Sequence, residues 1–247
     1  FKDSKDTWFF RWGGTWTYCM VAVSYILCEG VVWDFVSGVV GKWQQFYMNC
    51  PLSERRKLFM KVLVIPDIHL KPFMFKQAAE LMERGIAKRA VCLMDIPDDW
   101  DKQFDISLYE ETYDAAIRFA KKYPDTAWCY GNHDLSYVWH VPETGYSTMA
   151  ACTVQKKLLD LKEILPESNP IKYAHRIDNV LFSHAGISKD FVDLYVPKIK
   201  HDDVDTVLNY INNLGKMKMW YDGSPIWLRP QYTDVKMYKS HQFLQVV

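Results

Sequence analysis

The chain has no excess of charge of either sign: 30 Lys and Arg stand against 30 Asp and Glu in 247 residues. An extended nucleic-acid surface needs clustered cations to neutralise phosphates, so no stable nucleic-acid complex is expected. Cysteine is sparse and unpatterned. Cys19, Cys28, Cys50, Cys92, Cys129 and Cys152 form no CxxC pair and no framework spacing, and they read as free thiols in a reducing, cytoplasmic setting. No apolar run makes a convincing membrane span of roughly 20 residues: Tyr18 to Cys28 is apolar, but Glu29 and Asp34 interrupt its continuation. That stretch also lacks the basic start and small-residue cleavage site of a secretory signal. No membrane contact is expected, and there is no internal repeat or low-complexity tract.

An apolar share of 49% supplies a sizeable core. Residues 1–59 differ in composition from the rest, holding Trp8, Trp12, Trp16, Trp33 and Trp43. The run Met60-Lys61-Val62-Leu63-Val64-Ile65 looks like a domain opening on its first strand. Glu54-Arg55-Arg56 lies just upstream, and the codons GAA-AGG-AGG for it would form a purine-rich ribosome-binding sequence. Residues 1–59 are therefore expected to be an extension outside the native protein, with the domain spanning 60–247. The alternative is a genuine N-terminal subdomain or partner-binding segment.

From Met60 onward, strands are predicted at Val62 to Ile65, Arg89 to Met94 and Thr126 to Tyr130. Two more are predicted at Ile171 to Ala174 and Asn179 to Phe182, around a turn at Arg176-Ile177-Asp178, and a last one at Phe243 to Val247. Helices are predicted over Phe73 to Arg84, Ser107 to Lys122, Met149 to Leu165 and Val204 to Leu214, with Gly85 and Gly215 as stops. Strands alternate with helices early and cluster late, which makes the class α/β leaning to α+β.

Four blocks follow in order: Pro66-Asp67-Ile68-His69, Met94-Asp95-Ile96-Pro97-Asp98-Asp99, Gly131-Asn132-His133-Asp134 and Ser183-His184-Ala185-Gly186. Three directly follow a predicted strand. In extended backbone, side chains two apart share a side, so Asp67 and His69 can reach one cation. Asp95 has two oxygens with which to bridge two metals, Asn132 offers an amide oxygen, and His184 a second imidazole. Singly, each has a plainer reading: a turn carboxylate, a surface histidine, or a hydrogen-bonded turn histidine at 184.

Taken together, the blocks, their order and their strand context resemble the calcineurin-like metallophosphoesterase family, over residues 62–247. The resemblance implies a central β-sandwich flanked by helices and a binuclear site. Asp67, His69 and Asp95 would hold one metal, and Asp95, Asn132 and His184 the other. Mixed oxygen and nitrogen ligation suits manganese, iron or zinc. It further implies hydrolysis of a phosphate ester by a metal-activated water, with His133 protonating the leaving group and Asp98 orienting it. For Asp98 the plainer reading is a solvated loop acid beside Asp99 and Asp101.

The sequence departs from the family pattern at three places. Met94 replaces the glycine common before the bridging aspartate, which crowds the turn and removes no ligand. Asp99, followed by Trp100, stands where protein-phosphatase relatives carry a phosphate-clamping arginine. Arg229 is a candidate replacement for that guanidinium, or else a structural arginine stacked on Trp227. The family's last Gly-His block is absent. His241 lacks the preceding strand and glycine and is not taken as a ligand, and Leu244 to Val247 reads like the strand that would lead into that block. This 247-residue chain is therefore expected to be weakly active or inactive, and a C-terminally longer version to hydrolyse phosphate esters. The expected substrate is a phosphomonoester, either a phosphoprotein or a small metabolite. Phosphodiester cleavage at the same metal pair and a non-catalytic scaffold remain open.

Overall fold

A computed structural model describes residues 61–230 and 234–247, together with the strands β1 (Val21–Leu27) and β2 (Gly30–Val36). The expected domain start at Met60 and the block Glu54-Arg55-Arg56 lie outside the described residues. Three parallel strands, β3 (Lys61–Ile65), β4 (Arg89–Cys92) and β5 (Ala127–Trp128), sit side by side. β1 pairs antiparallel with β3 and with β2, completing a sheet of order β2-β1-β3-β4-β5. A second sheet joins the hairpin β6 (Ala174–Ile177) and β7 (Val180–Ser183) to β8 (Leu244–Val246), which runs parallel to β7.

The period-2 alternation of strand side chains sorts the core. Val62, Val64, Val91 and Leu93 face Ile177, Val180, Phe182 and Val246 in one apolar layer between the sheets. Their neighbours Leu63, Ile65, Ala90 and Cys92 turn the other way, against the helices α1 (Phe73–Glu83), α2 (Ile106–Lys122) and α4 (Ala151–Ile164). On the far side, Ala174 and Leu181 pack with Phe191 of α5 (Lys189–Tyr195) and with Val204, Val207, Leu208 and Ile211 of α6 (Val204–Asn212). Between them in the chain lies α3 (Asn132–Trp139), and a short α7 (Lys216–Met219) follows α6. The result is the expected helix-flanked sandwich. No helix among the described residues is long and apolar enough to cross a membrane.

Several elements differ from the sequence reading. The hairpin strand expected at Ile171 to Ala174 is Ala174–Ile177 instead, because Asp178 adopts a left-handed φ of 52° and closes a two-residue turn with Asn179. Ile171 and Lys172 meet the end of β5 instead, where Lys172 N–H donates to Trp128 O at 3.0 Å and Tyr130 N–H to Lys172 O at 2.9 Å. The helices α3, α5 and α7 are also absent from the sequence reading: α5 and α7 are short, and the first turn of α3 is polar and carries site residues. Cys92, Cys129 and Cys152 are free thiols, while Cys19, Cys28 and Cys50 lie outside the described residues.

Candidate metal centre

The loops after β3 and β4 keep bonding to each other beyond the last strand residues. Ile68, His69 and Leu70 N–H donate to Met94, Asp95 and Ile96 O at 3.0, 2.8 and 3.1 Å. This continuation sets Asp67 and His69 beside Asp95. It is bought with left-handed backbone at His69 (φ 41°), Leu70 (55°), Met94 (58°), Asp95 (42°) and Asp98 (68°), each costing on the order of 1 kcal/mol or more for a residue with a Cβ. Met94 thus occupies a conformation that favours glycine, and its side chain is wholly buried in the helix-side core. That packing offsets the strain.

One oxygen or nitrogen each from Asp67, His69 and Asp95 lies within 4.8 Å of the others. Asp67 is 47% exposed, whereas Asp95, Asn132 and His184 are buried. His184 Nε2 lies 3.1 Å from Asn132 Oδ1 and 3.2 Å from Asp95 Oδ2. His69 Nε2 is 3.8 Å from the same Asp95 oxygen. The opposite ring nitrogens are both committed to carbonyls, which only accept: His69 Nδ1 donates to Asp98 O at 2.8 Å and His184 Nδ1 to Leu93 O at 3.1 Å. Each neutral imidazole is therefore fixed in the tautomer whose Nε2 lone pair points at Asp95.

Around Asp95 Oδ2 the chain gathers a carboxylate, an amide oxygen and two imidazole lone pairs, all acceptors. Acceptors packed this closely need a cation between them, and this donor set fits a borderline transition metal. Without one, a proton on His184 takes the part. Burial disfavours the imidazolium, but Asp95 and Asp67 outweigh it and raise His184 to about 9. Burial likewise works against the Asp95 carboxylate, yet His184, His133 and His69 hold its pKa well below the ordinary value.

Asp95 Oδ1 is claimed by the N-terminus of α3, accepting from His133 N–H at 2.9 Å. Gly131 makes that approach possible: a Cβ there would lie 1.9 Å from Asp95 Oδ1. Asp134 braces the same turn. Its buried carboxylate accepts from Gly131 N–H (3.0 Å), Asp95 N–H (2.9 Å) and Ile96 N–H (3.2 Å). Burial and the Asp95 charge push Asp134 upward, against the Gly131 and Ile96 N–H donors.

His133 donates through Nδ1 to Asp98 Oδ2 at 2.9 Å. Asp98 is fully buried, not a solvated loop acid, and also accepts from the phenols of Tyr109 (3.2 Å) and Tyr137 (2.5 Å). Burial alone would lower the His133 pKa; the Asp98 hydrogen bond and the Asp95 and Asp98 charges overcome it and raise it.

Arg229 is partly committed elsewhere. Its Nη1 donates to Trp227 O and Leu228 O at 3.0 and 3.2 Å, and its guanidinium lies 5.9 Å from the Trp227 ring centre. Its charge nevertheless reaches His184, where it opposes protonation. His241 is exposed on a turn. The sequence offers five aromatics near the blocks, Trp100, Trp128, Tyr137, Trp139 and Trp220, as pocket lining or as plain core; Trp128 and Tyr137 are buried, and Trp139 and Trp220 pack on each other at 5.7 Å. Trp100 alone of the five lies against both His69 and His133, at 5.4 and 5.7 Å between ring centres.

Sequence reasoning assigns no role to Asp134, Gly131 or Tyr109. The spacing of Asp134 three residues after Gly131, at the N3 position of a helix, was a legible signal for the first. Tyr109 reads as helix core in the sequence, and only the fold brings its hydroxyl and that of Tyr137 to Asp98.

No curated protein and no solved structure matches the chain. The family model for calcineurin-like phosphoesterases matches residues 60–244, three-quarters of the length, including all four blocks singled out in the sequence. The chain belongs to the calcineurin-like phosphoesterase family.

Proposed function

We propose that this chain hydrolyses phosphate monoesters. In this reading Asp67, His69 and Asp95 hold one cation, Asp95, Asn132 and His184 hold a second, and His133 is the general acid. The observation that carries it is the shared aim of two imidazoles: each has its Nδ1 tied to a backbone carbonyl and its Nε2 turned toward Asp95 Oδ2. When bound, manganese, iron or zinc would supply Lewis acidity to the phosphoryl oxygens and make water a better nucleophile at neutral pH.

The chain's own groups supply the rest. With Nδ1 held by Asp98, His133 keeps Nε2 for the substrate. As a water oxygen bonds to phosphorus and the bond to the ester oxygen breaks, His133 Nε2 delivers its proton to that departing oxygen. Asp98, fixed by Tyr109 and Tyr137, orients the ring and favours its protonated form. Arg229 adds positive charge beside His184 and is proposed to attract the phosphate. The balanced overall charge favours a compact ester over a nucleic acid.

The test is phosphate release from p-nitrophenyl phosphate and from its bis ester, after loading with manganese, iron or zinc. Metal-dependent turnover of the monoester, faster than that of the diester, is the expected result. Preference for the diester moves the assignment to phosphodiesterase. Stoichiometric metal with no turnover of either ester leaves a metal-binding scaffold.

A further inference from the structure

Trp100 is half-exposed (49%), yet its ring is packed against two imidazoles of the site, His69 and His133. The exposed part of the indole, beside the two imidazoles, is a surface on which a further ring can stack. Its position is set by the backbone around it. Gln103 Nε2 donates to Trp100 O at 2.9 Å and Lys102 N–H to Asp99 O at 2.9 Å. Lys71 ties this loop to the first ligand turn, donating to His69 O at 2.9 Å with its ammonium 3.9 Å from Asp99 Oδ2. On another side the indole meets the turn at Gly145, where a Cβ would lie 3.6 Å from Trp100 Nε1. The indole is thus held in place before any ligand arrives.

We infer that Trp100 is a specificity-determining residue, the wall on which an aromatic leaving group stacks, and that the preferred substrates are aryl phosphate monoesters. The inference rests on the proposed phosphatase reading and goes further by naming the substrate class. The leaving oxygen must come within hydrogen-bond reach of His133 Nε2. In an aryl ester the ring is bonded directly to that oxygen, so it reaches the indole beside His133. In a nucleotide a ribose intervenes and carries the base farther out. Two carboxylates, Asp99 and Asp101, flank Trp100 in the chain, and Lys71 is already engaged with Asp99. Such a rim disfavours leaving groups that carry further phosphates and accepts a neutral ring.

The experiment is calorimetric titration of the manganese-loaded full chain with phenylphosphonate and methylphosphonate, neither of which has an ester bond to cleave. It is run on the wild type, Trp100→Ala and Trp100→Phe. The wild type is expected to prefer the phenyl ligand about tenfold, in the range of a stacking contact. Trp100→Ala should bring the two affinities within about twofold, and Trp100→Phe should retain most of the preference. Equal affinities in the wild type, undetectable phenylphosphonate binding, or an undiminished preference in Trp100→Ala would each overturn the inference. So would tighter binding of adenosine 5′-monophosphate than of phenylphosphonate. Turnover of β-glycerol phosphate without any phenyl preference would sink the inference alone; a Trp100-dependent phenyl preference without turnover of any ester would support it and sink the phosphatase reading.

Discussion

Two histidines of one hairpin show how the fold separates structure from chemistry. His175 on β6 and His184 just beyond β7 are equally buried, at 8% and 7% exposure. Each gives one ring N–H to a backbone carbonyl, His175 Nε2 to Trp128 O at 3.0 Å and His184 Nδ1 to Leu93 O at 3.1 Å. Their acidities nevertheless diverge. Burial, aided by the charges of Lys172 and Arg89, holds His175 down at about 4. At His184 the same burial is overridden by Asp95 and Asp67, to about 9. Burial by itself therefore does not mark a functional histidine. The second ring nitrogen does: at His184 it faces Asp95 and Asn132.

The largest effect should come from making His184 resemble His175. Asp95→Asn removes the anion that faces both His69 and His184. Metal-free stability should fall by about 3–5 kcal/mol, the cost of leaving one member of a buried pair uncompensated. Metal content and ester turnover should fall with it. Urea denaturation and metal analysis of the same preparations measure both, and retention of metal with unchanged stability would show that Asp95 does not couple the two halves of the site.

His175 supplies the converse. Its folded pKa lies below the ordinary value of about 6.5, so the unfolded chain binds the extra proton between the two. Stability from this group is complete above about pH 6.5 and is lost as the pH falls toward 4, by about 3 kcal/mol in all. His175→Gln, which can still donate to the Trp128 carbonyl, should flatten the fall of the urea midpoint between pH 7 and 4.5 without altering turnover at pH 7. An unchanged slope would assign the acid sensitivity to other groups.

Gly131→Ala probes His184's partner without touching a ligand side chain. The added methyl would displace Asp95 Oδ1 from the α3 N-terminus. Metal affinity should weaken about 10–100-fold, as when a group orienting a ligand is lost, and the acid profile from His175 should be preserved. Metal titration at fixed pH measures it. The smallest effect is expected from Asp98→Asn, which keeps a side-chain acceptor for His133 but removes the charge that favours its protonated form. The turnover number should fall about tenfold, at the modest end of general-acid effects, with KM little changed; a rise in KM alone would place Asp98 in substrate binding instead.

Much of the fold was readable from the chain. Val62 to Ile65 and Arg89 to Cys92 are short apolar runs bounded by polar turns, and α2 and α6 show a helical period. These signals are local, so they survive without tertiary context. The β6 strand was misplaced because Ile171 and Ala174 satisfy strand patterning equally well. The choice between them depends on where Asp178 and Asn179 turn and on which residues reach Trp128. Helix α3 was obscured because its opening residues serve the site instead of an apolar face.

The sequence by itself marked out the candidate metal-binding residues, since donor types in this order after strands point to few chemistries. It also determined the alternation that sorts Val62 and Val64 from Leu63 and Ile65. Only the tertiary structure decided which imidazole nitrogens are free, that Asp98 is buried under two phenols, and that Trp100, of five candidate aromatics, lies beside His69 and His133. Those properties depend on groups dozens of residues apart meeting within hydrogen-bond distance. No local pattern encodes that distance; it is set by how the strands are ordered and how the two sheets pack.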